Sequence, residues 1–314
     1  MTPGADARAV RSRQAAAPAQ TGLQLEVIPL VRDYISLTKP RIISLLLLTT
    51  VTTMFVADPS GPALSTILWT MLGGYLAAGG AGAINHYIDR NRDAKNNRTK
   101  NRPLADGRIK PINGLIFGIT LGAIAFFQLW FTVNFLSAAL AMVGLFGYVF
   151  LYTLWLKPLT PQNIVIGGSA GAVPPLVGWA AASGGLTLDA MWPFMIIFFW
   201  TPPHFWALSL MIKDDYAKTG VPMLPVVKGE AATRQSILIY TIFMVGFTVG
   251  PYCTGLLGPL YLAASVALGL VYIGFSFALW RRPGPKITLQ AYLYSLAYLA
   301  LLFIAMAVTA VAQA

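Results

Sequence analysis

The stretch Asn85-His86-Tyr87-Ile88-Asp89-Arg90-Asn91-Arg92-Asp93 sets an amide and two carboxylates four residues apart. At helical spacing, positions i, i+4 and i+8 share one face. Asn and Asp offer hard oxygen ligands, the kind that hold Mg²⁺ together with substrate phosphates. Two like charges on one face, at the end of a membrane-length apolar run, call for a cation between them. Five basic residues follow: Lys95, Arg98, Lys100, Arg102 and Arg108. Carboxylates suited to Mg²⁺ beside a basic strip describe a diphosphate site at a membrane surface.

A second acidic cluster, Lys213-Asp214-Asp215-Tyr216-Ala217-Lys218, ends a later apolar run. Both clusters are followed by basic residues and a proline turn, Arg102-Pro103-Leu104 and Met223-Leu224-Pro225. This is a weak hint of a duplicated four-helix unit. One acidic loop alone would read as a solvated cap. Two at matched positions of the topology can converge on one cavity mouth.

The elements that carry these clusters follow from composition. Of 314 residues, 56% are hydrophobic and 11% charged, against about 25% charged in soluble chains. Residues 111–156, 235–280 and 287–314 contain no charge, and 158–212 contain only Asp189. Each exceeds the roughly 20 residues that cross a bilayer. Turn signals such as Asp58-Pro59-Ser60-Gly61-Pro62 and Ser183-Gly184-Gly185 divide them. The spans fall at 42–57, 63–85, 112–131, 134–155, 163–182, 190–212, 236–254, 259–280 and 289–312. The expectation is an all-α polytopic membrane protein of nine helices.

All 22 Lys and Arg lie before the first span or in the loops after spans 2, 4, 6 and 8. That asymmetry sets the N-terminus and both acidic loops on the cytoplasmic side and Ala314 outside. The net charge of +11 then reflects topology and contact with membrane lipid, and no nucleic-acid partner is expected. The single Cys253 excludes a disulfide or cysteine-metal framework. Residues 1–30 read as a flexible basic tail before a membrane domain at 31–314. The Ala-rich residues 1–25, with Arg8, Arg11 and Arg13, leave a transit peptide as the alternative.

These residues resemble the UbiA superfamily of intramembrane prenyltransferases, whose motif is Asn-x-x-x-Asp-x-x-x-Asp. Within it they are most similar to the haem-farnesylating branch. The likeness rests on Asn85–Asp93 with Arg98–Leu104, on Thr160–Gly168 running to Pro174–Trp179, and on Trp200-Thr201-Pro202-Pro203-His204-Phe205-Trp206 through Asp214-Asp215-Tyr216 to Val226. It covers about residues 30–310. The superfamily's second motif is Asp-x-x-x-Asp, whereas Lys218 stands four residues after Asp214 and Thr219 four after Asp215. Lys157 precedes Pro158 where another basic residue is expected, so its loop has one cation.

The resemblance implies nine helices around a central lipid-accessible cavity. It also implies transfer of the farnesyl group of farnesyl diphosphate to a vinyl group of haem b, with addition of water. Asn85, Asp89 and Asp93 would hold one Mg²⁺, and Asp214 or Asp215 another, with the acids at a wet rim. Arg98, Arg102 and Lys218 would contact phosphate oxygens. Tyr87, Tyr148, Tyr152, Phe205 and Trp206 would offer π faces to the allylic cation. His204, about eight residues or roughly 12 Å up span 6 at 1.5 Å per residue, would face the haem. His86 would bind haem or phosphate. Pro202-Pro203, Gly167-Gly168 and Pro174-Pro175 suggest irregular or closely packed helix beside a cavity.

The product would pass to a haem A synthase. The membrane would be the bacterial inner membrane or the mitochondrial inner membrane. Prenylation of another aromatic, such as 4-hydroxybenzoate, is the alternative within the class. An ion-binding transporter is the alternative outside it; that reading needs polar groups at mid-membrane, whereas these acids sit at span ends.

Overall fold

A computed structural model describes residues 20–314, with side chains from Pro29 onward. The expected tail and transit peptide over 1–19 lie outside the described residues. Helix α1, Gln20–Leu37, contains the boundary expected at residue 30. Nine helices long and apolar enough to span a membrane follow among the described residues. They are α2 (Pro40–Ala57), α3 (Leu64–Asp93), α4 (Pro111–Thr132), α5 (Phe135–Leu159), α6 (Asn163–Ser183) and α7 (Leu188–Met211). After two short helices, α8 (Lys213–Thr219) and α9 (Leu224–Val227), come α10 (Gly229–Cys253), α11 (Pro259–Arg281) and α12 (Pro285–Gln313). All nine expected spans are present. The largest difference is that α3 continues to Asp93, so the acidic motif completes the helix.

Each spanning helix packs on the next, and α12 closes the ring by packing on α2 and α7. Helix α6 is the most enclosed and touches α2, α3, α5 and α7. Lipid is as apolar as leucine, so close backbone approach replaces the hydrophobic drive between helices. On α4, Gly118 and Gly122 lie against Gly80 of α3, and Gly114, one turn before, lies against Leu104 of the segment 94–110. A methyl on Gly118 would stand 2.9 Å from the Gly80 carbonyl. On α6, one at Gly178 would meet the Thr50 carbonyl of α2 at 2.2 Å. Large apolar side chains such as Phe131, Trp155 and Leu270 point outward, where lipid receives them.

Candidate active site

Because α3 stays helical to Asp93, Asn85, Asp89 and Asp93 stack on one face. The expected wet rim is not observed, because Asn85 and Asp89 are 3% exposed and Asp93 is 8% exposed. The segment 94–110 folds over them. Its Leu104 and Ile109 are buried with Leu37 and Ala83, and the Thr99 hydroxyl donates to the Asp93 carbonyl at 3.1 Å. Arg108 ties the segment to α1 through Asp33 at 2.8 Å.

Buried carboxylates persist only when paired and hydrogen-bonded. Lys157 donates to Asp89 Oδ2, and Arg92 lies 3.2 Å from Asp89 Oδ1. Arg102 pairs with Asp93 at 2.8 Å. The Asn85 amide donates to Asp89 Oδ2 at 2.9 Å and to Thr153 Oγ1 at 3.2 Å, and its oxygen accepts from Lys39 at 2.6 Å. Asn85, Asp89 and Thr153 are joined by hydrogen bonds, and Asp93 stands one turn on with its own cation.

Lys39 and Lys157 were not singled out as site residues by the sequence. Each is a cation immediately before a proline, Pro40 and Pro158. Lys39 has φ 57 and ψ 56, the one left-handed non-glycine among the described residues. A side chain disfavours that region, and such strain gathers at functional sites. The conformation turns the chain between α1 and α2 beside Asn85. Burial, with Arg102 and Lys157 nearby, pulls the Lys39 ammonium down to about 7; Asp89 and Asp93 oppose the fall.

Lys157 arrives through a change of helix type. Helix α5 is π-helical over Gly147–Leu156. The wider turn alters the azimuth of every later residue, and Thr153 and Lys157 come to Asn85 and Asp89. Tyr148 and Tyr152 lie on the same segment, with ring centroids 5.5 Å apart. The Lys39 ammonium lies 5.8 Å from the Tyr148 centroid. Tyr152 packs so closely on Gly167 that a methyl there would stand 2.5 Å from its ring.

The second acidic cluster folds over the same end. Arg98 Nε lies 3.8 Å from Asp215 Oδ2. Tyr216, Tyr152 and Phe205 all pack against the buried cluster of Ile164, Val221 and Met223. Burial pushes the Tyr216 hydroxyl up to about 12, against Arg98 and Arg102 and together with Asp89 and Asp215. Asp214 and Lys218 are exposed and form no ion pair among the described residues. No three His, Cys, Asp or Glu side chains form a metal cluster among the described residues. The donor set is Asp89, Asp93 and the Asn85 oxygen, with Asp215 across the loop. That set fits Mg²⁺ bound by one or two carboxylates plus substrate phosphates.

Beneath the network lies an apolar cavity of about 230 Å³ between α2, α3, α5 and α6. Lys39, Thr38 and Tyr148 stand at its polar end, and Thr50 and Val177 mark its depth. Lys39 to Thr50 is roughly 16 Å of helix. Ile42, 63% exposed, stands at its edge. Gly171 and Pro174 line it, in keeping with the expectation for the Pro174-Pro175 helix.

Other expected residues lie elsewhere. Tyr87 lies under the Arg90 guanidinium, 4.3 Å from its centroid, and packs in the cluster of Leu37, Leu104 and Phe117. Its position, two residues after Asn85, is about 200° round the helix. Trp206 is buried against Tyr240, away from the carboxylates. His86 is buried with neither ring nitrogen paired. His204 turns to α12, where Ser295 lies 2.6 Å from its Nδ1.

The chain matches the family model described as the UbiA prenyltransferase family over residues 46–302. A protoheme IX farnesyltransferase from Roseiflexus sp. (strain RS-1) is 51% identical over 280 residues, 89% of this chain and 52% of that protein. The chain thus spans about half the length of that relative and of similar ones from Chloroflexus and Thermus. A protoheme IX farnesyltransferase from Symbiobacterium thermophilum is 48% identical over 290 residues, 92% of this chain and 97% of that protein. Among solved structures, a digeranylgeranylglyceryl phosphate synthase superposes with a TM-score of 0.74 at 16% identity, covering 90% of this chain and 99% of that one. A UbiA homologue from Archaeoglobus fulgidus bound to GPP and Mg²⁺ gives 0.69 at 16% identity, covering 89% and 99%. The family match over residues 46–302 and the near-full-length relative place this chain in the UbiA prenyltransferase family, whose fold it shares.

Proposed function

We propose that the chain transfers the farnesyl group of farnesyl diphosphate to a vinyl carbon of haem b, with addition of water, and so makes haem O. The observation that carries the prenyl-transfer part is the union of a buried oxygen–cation network with an apolar cavity directly beneath it. An isoprenoid diphosphate has that polarity, with a charged head on a long apolar tail. The haem acceptor is supported by about 50% identity to several relatives named protoheme IX farnesyltransferase.

The roles follow from the charges. Asn85, Asp89, Asp93 and Asp215 would hold Mg²⁺, which when bound draws charge from the departing diphosphate. Lys39, Lys157, Arg98 and Arg102 present cations to the phosphate oxygens; the arginines suit bidentate contact and the lysines act as point charges. Such preset charges favour the ionised state over the ground state. The C–O bond breaks and its electron pair leaves with the diphosphate. Tyr148 and Tyr152 turn ring faces to the allylic cation, and the apolar wall excludes water. The vinyl carbon of haem b then bonds to the farnesyl carbon. Water adds at the neighbouring carbon and loses a proton, giving a hydroxyethylfarnesyl side chain. A haem A synthase would receive this product.

The test is incubation of the purified protein with Mg²⁺, farnesyl diphosphate and haem b, followed by mass analysis of the haem. The expected product carries one farnesyl group and one water. Unmodified haem, with farnesyl transfer to 4-hydroxybenzoate instead, would replace the acceptor. No transfer to any acceptor, with diphosphate intact, would overturn the reading.

A further inference from the structure

The apolar cavity beneath Lys39 ends where α2 meets α6. A methyl on Gly178 of α6 would stand 2.2 Å from the Thr50 carbonyl of α2, the closest approach of a neighbouring backbone at any glycine among the described residues. Thr50 is buried, and its hydroxyl donates to the Leu46 carbonyl of its own helix at 2.8 Å. Its methyl carbon is what it turns to α6, 3.2 Å from the same point on Gly178. Thr50 also lines the cavity. An alkyl chain has no room to pass between the two helices there.

The rest of the floor is core. Ala77, Ala141, Val173 and Val177 line the cavity and also belong to a buried cluster with Ala125, Leu129 and Ala138. The Asn134 amide donates to the Ala180 carbonyl at 2.8 Å, and the Ser137 hydroxyl reaches the Val177 carbonyl at 3.4 Å. These bonds tie α5 to α6 just beyond the floor. The walls above it are the reverse. Gly74 and Gly82 of α3, Gly144 of α5 and Gly171 of α6 line them, and a methyl on Gly171 would meet nothing within 4 Å. Missing side chains make the channel, and it stops where Thr50 and Val177 restore close packing.

The channel therefore has a length. Its lining runs from Lys39 to Thr50 on α2 and from Gly82 to Gly74 on α3, roughly 16 Å and 12 Å at 1.5 Å per residue. At about 1.5 Å per carbon–carbon bond, a zigzag isoprene unit of four bonds extends roughly 5 Å. Three units reach the floor. Two leave its apolar end unfilled and forfeit those contacts. A fourth must displace core side chains, which a packed interior resists.

We propose that Thr50 and Val177, braced by the contact between Thr50 and Gly178, form a chain-length stop that selects a fifteen-carbon diphosphate over ten- and twenty-carbon ones. The proposal deepens the farnesyl reading. It rests on a prenyl diphosphate whose head is held by the network above the cavity, and it is independent of the acceptor. The competing route for the tail is past Ile42, at the cavity edge. A tail that left there would enter lipid, and the floor would not count its carbons.

The experiment is calorimetric titration of the purified full chain, with Mg²⁺ and without haem, using non-reactive ten-, fifteen- and twenty-carbon diphosphate analogues. The wild type is expected to prefer the fifteen-carbon analogue over each of the others by about tenfold. Val177→Ala and Thr50→Ala deepen the channel and are expected to raise twenty-carbon binding relative to fifteen by about tenfold. Ala141→Val raises the floor and is expected to shift the ratio towards ten carbons by a similar factor. Binding of inorganic diphosphate stays unchanged throughout, because the head site is untouched. If the wild type binds all three analogues alike, or the variants leave the ratios as they were, the tail leaves by another route and only this inference falls. If no analogue binds, the prenyl diphosphate reading falls with it. Should Val177→Ala not fold, Thr50→Ala decides alone, since its lost hydroxyl serves only its own helix.

Discussion

Arg98 and Asp215 lie 117 positions apart in sequence and 3.8 Å apart in space, joining the two acidic loops over one end of the bundle. Asp214, the immediate neighbour, is exposed and takes no part in that ion pair. The pair distinguishes two carboxylates that the sequence left equivalent. Asp215→Asn is expected to lower kcat/KM by about a hundredfold or more, the scale of losing one preset charge-stabilising group. Asp214→Asn should stay within about threefold. Steady-state rates for the two variants check this; equal losses would return Asp214 to the site.

Asp89 and Lys157 form a buried ion pair. Breaking such a pair leaves an uncompensated charge and costs about 3–5 kcal/mol. Asp89→Ala should therefore reduce stability as well as activity, contrary to the expectation from a wet rim. Asp89→Asn with Lys157→Met should recover much of the stability and none of the turnover. Chelation should abolish turnover in the wild type without lowering its melting temperature to that of Asp89→Ala. Thermal melts in detergent beside turnover assays test this; full activity in the double variant would remove both residues from the chemistry.

The contrast between these residues shows what sequence spacing carries. Asn85, Asp89 and Asp93 were legible because a four-residue period on a helix fixes a common face. The nine spans were legible because length and apolarity decide them. Tyr87 packs apart from the carboxylates, with Arg90, Leu37 and Leu104, because closeness in sequence says nothing of azimuth and a residue two positions on faces about the opposite side of the helix. Lys39 and Lys157 were missed because a cation just before a helix-starting or helix-ending proline belongs to no periodic pattern. Lys157 reaches Asp89 through the π-helical turn of α5, and nothing in Gly147–Leu156 signals that turn. Burial of the carboxylates depended on the fold of 94–110, a segment without periodicity.

The cavity under Lys39 makes a prediction about chain length. Ala78 lines it from α3 and is only half-buried, so a larger side chain there can enter the cavity without displacing core residues. Ala78→Phe should lower kcat/KM for farnesyl diphosphate by roughly tenfold or more, about the scale of one to two misplaced hydrophobic groups. A five-carbon prenyl diphosphate should be affected less, because its tail stops short of the obstruction. Competition between the two diphosphates, with product masses counted, measures the ratio. An unaltered ratio would show that the tail runs elsewhere.

Orientation in the membrane is the last prediction. The ion pairs Arg98–Asp215, Lys157–Asp89 and Arg108–Asp33 join the segments after α3, α5 and α7 and before α2. Those segments must share one side. Their excess of Lys and Arg predicts that this side is cytoplasmic, with Ala314 opposite. Cys253 gives a built-in reporter: it is exposed and ends α10, a helix that begins at the basic end and runs away from it. In right-side-out vesicles, an impermeant maleimide should label Cys253 at once. Cysteines placed at Lys95 or Lys218 in a Cys253→Ser background should label only after the vesicles are opened. Because the ion pairs tie both loops to one end, the two must behave alike. Labelling of one loop without the other would break the shared site, whereas reversal of all three positions would invert the orientation and leave the site intact.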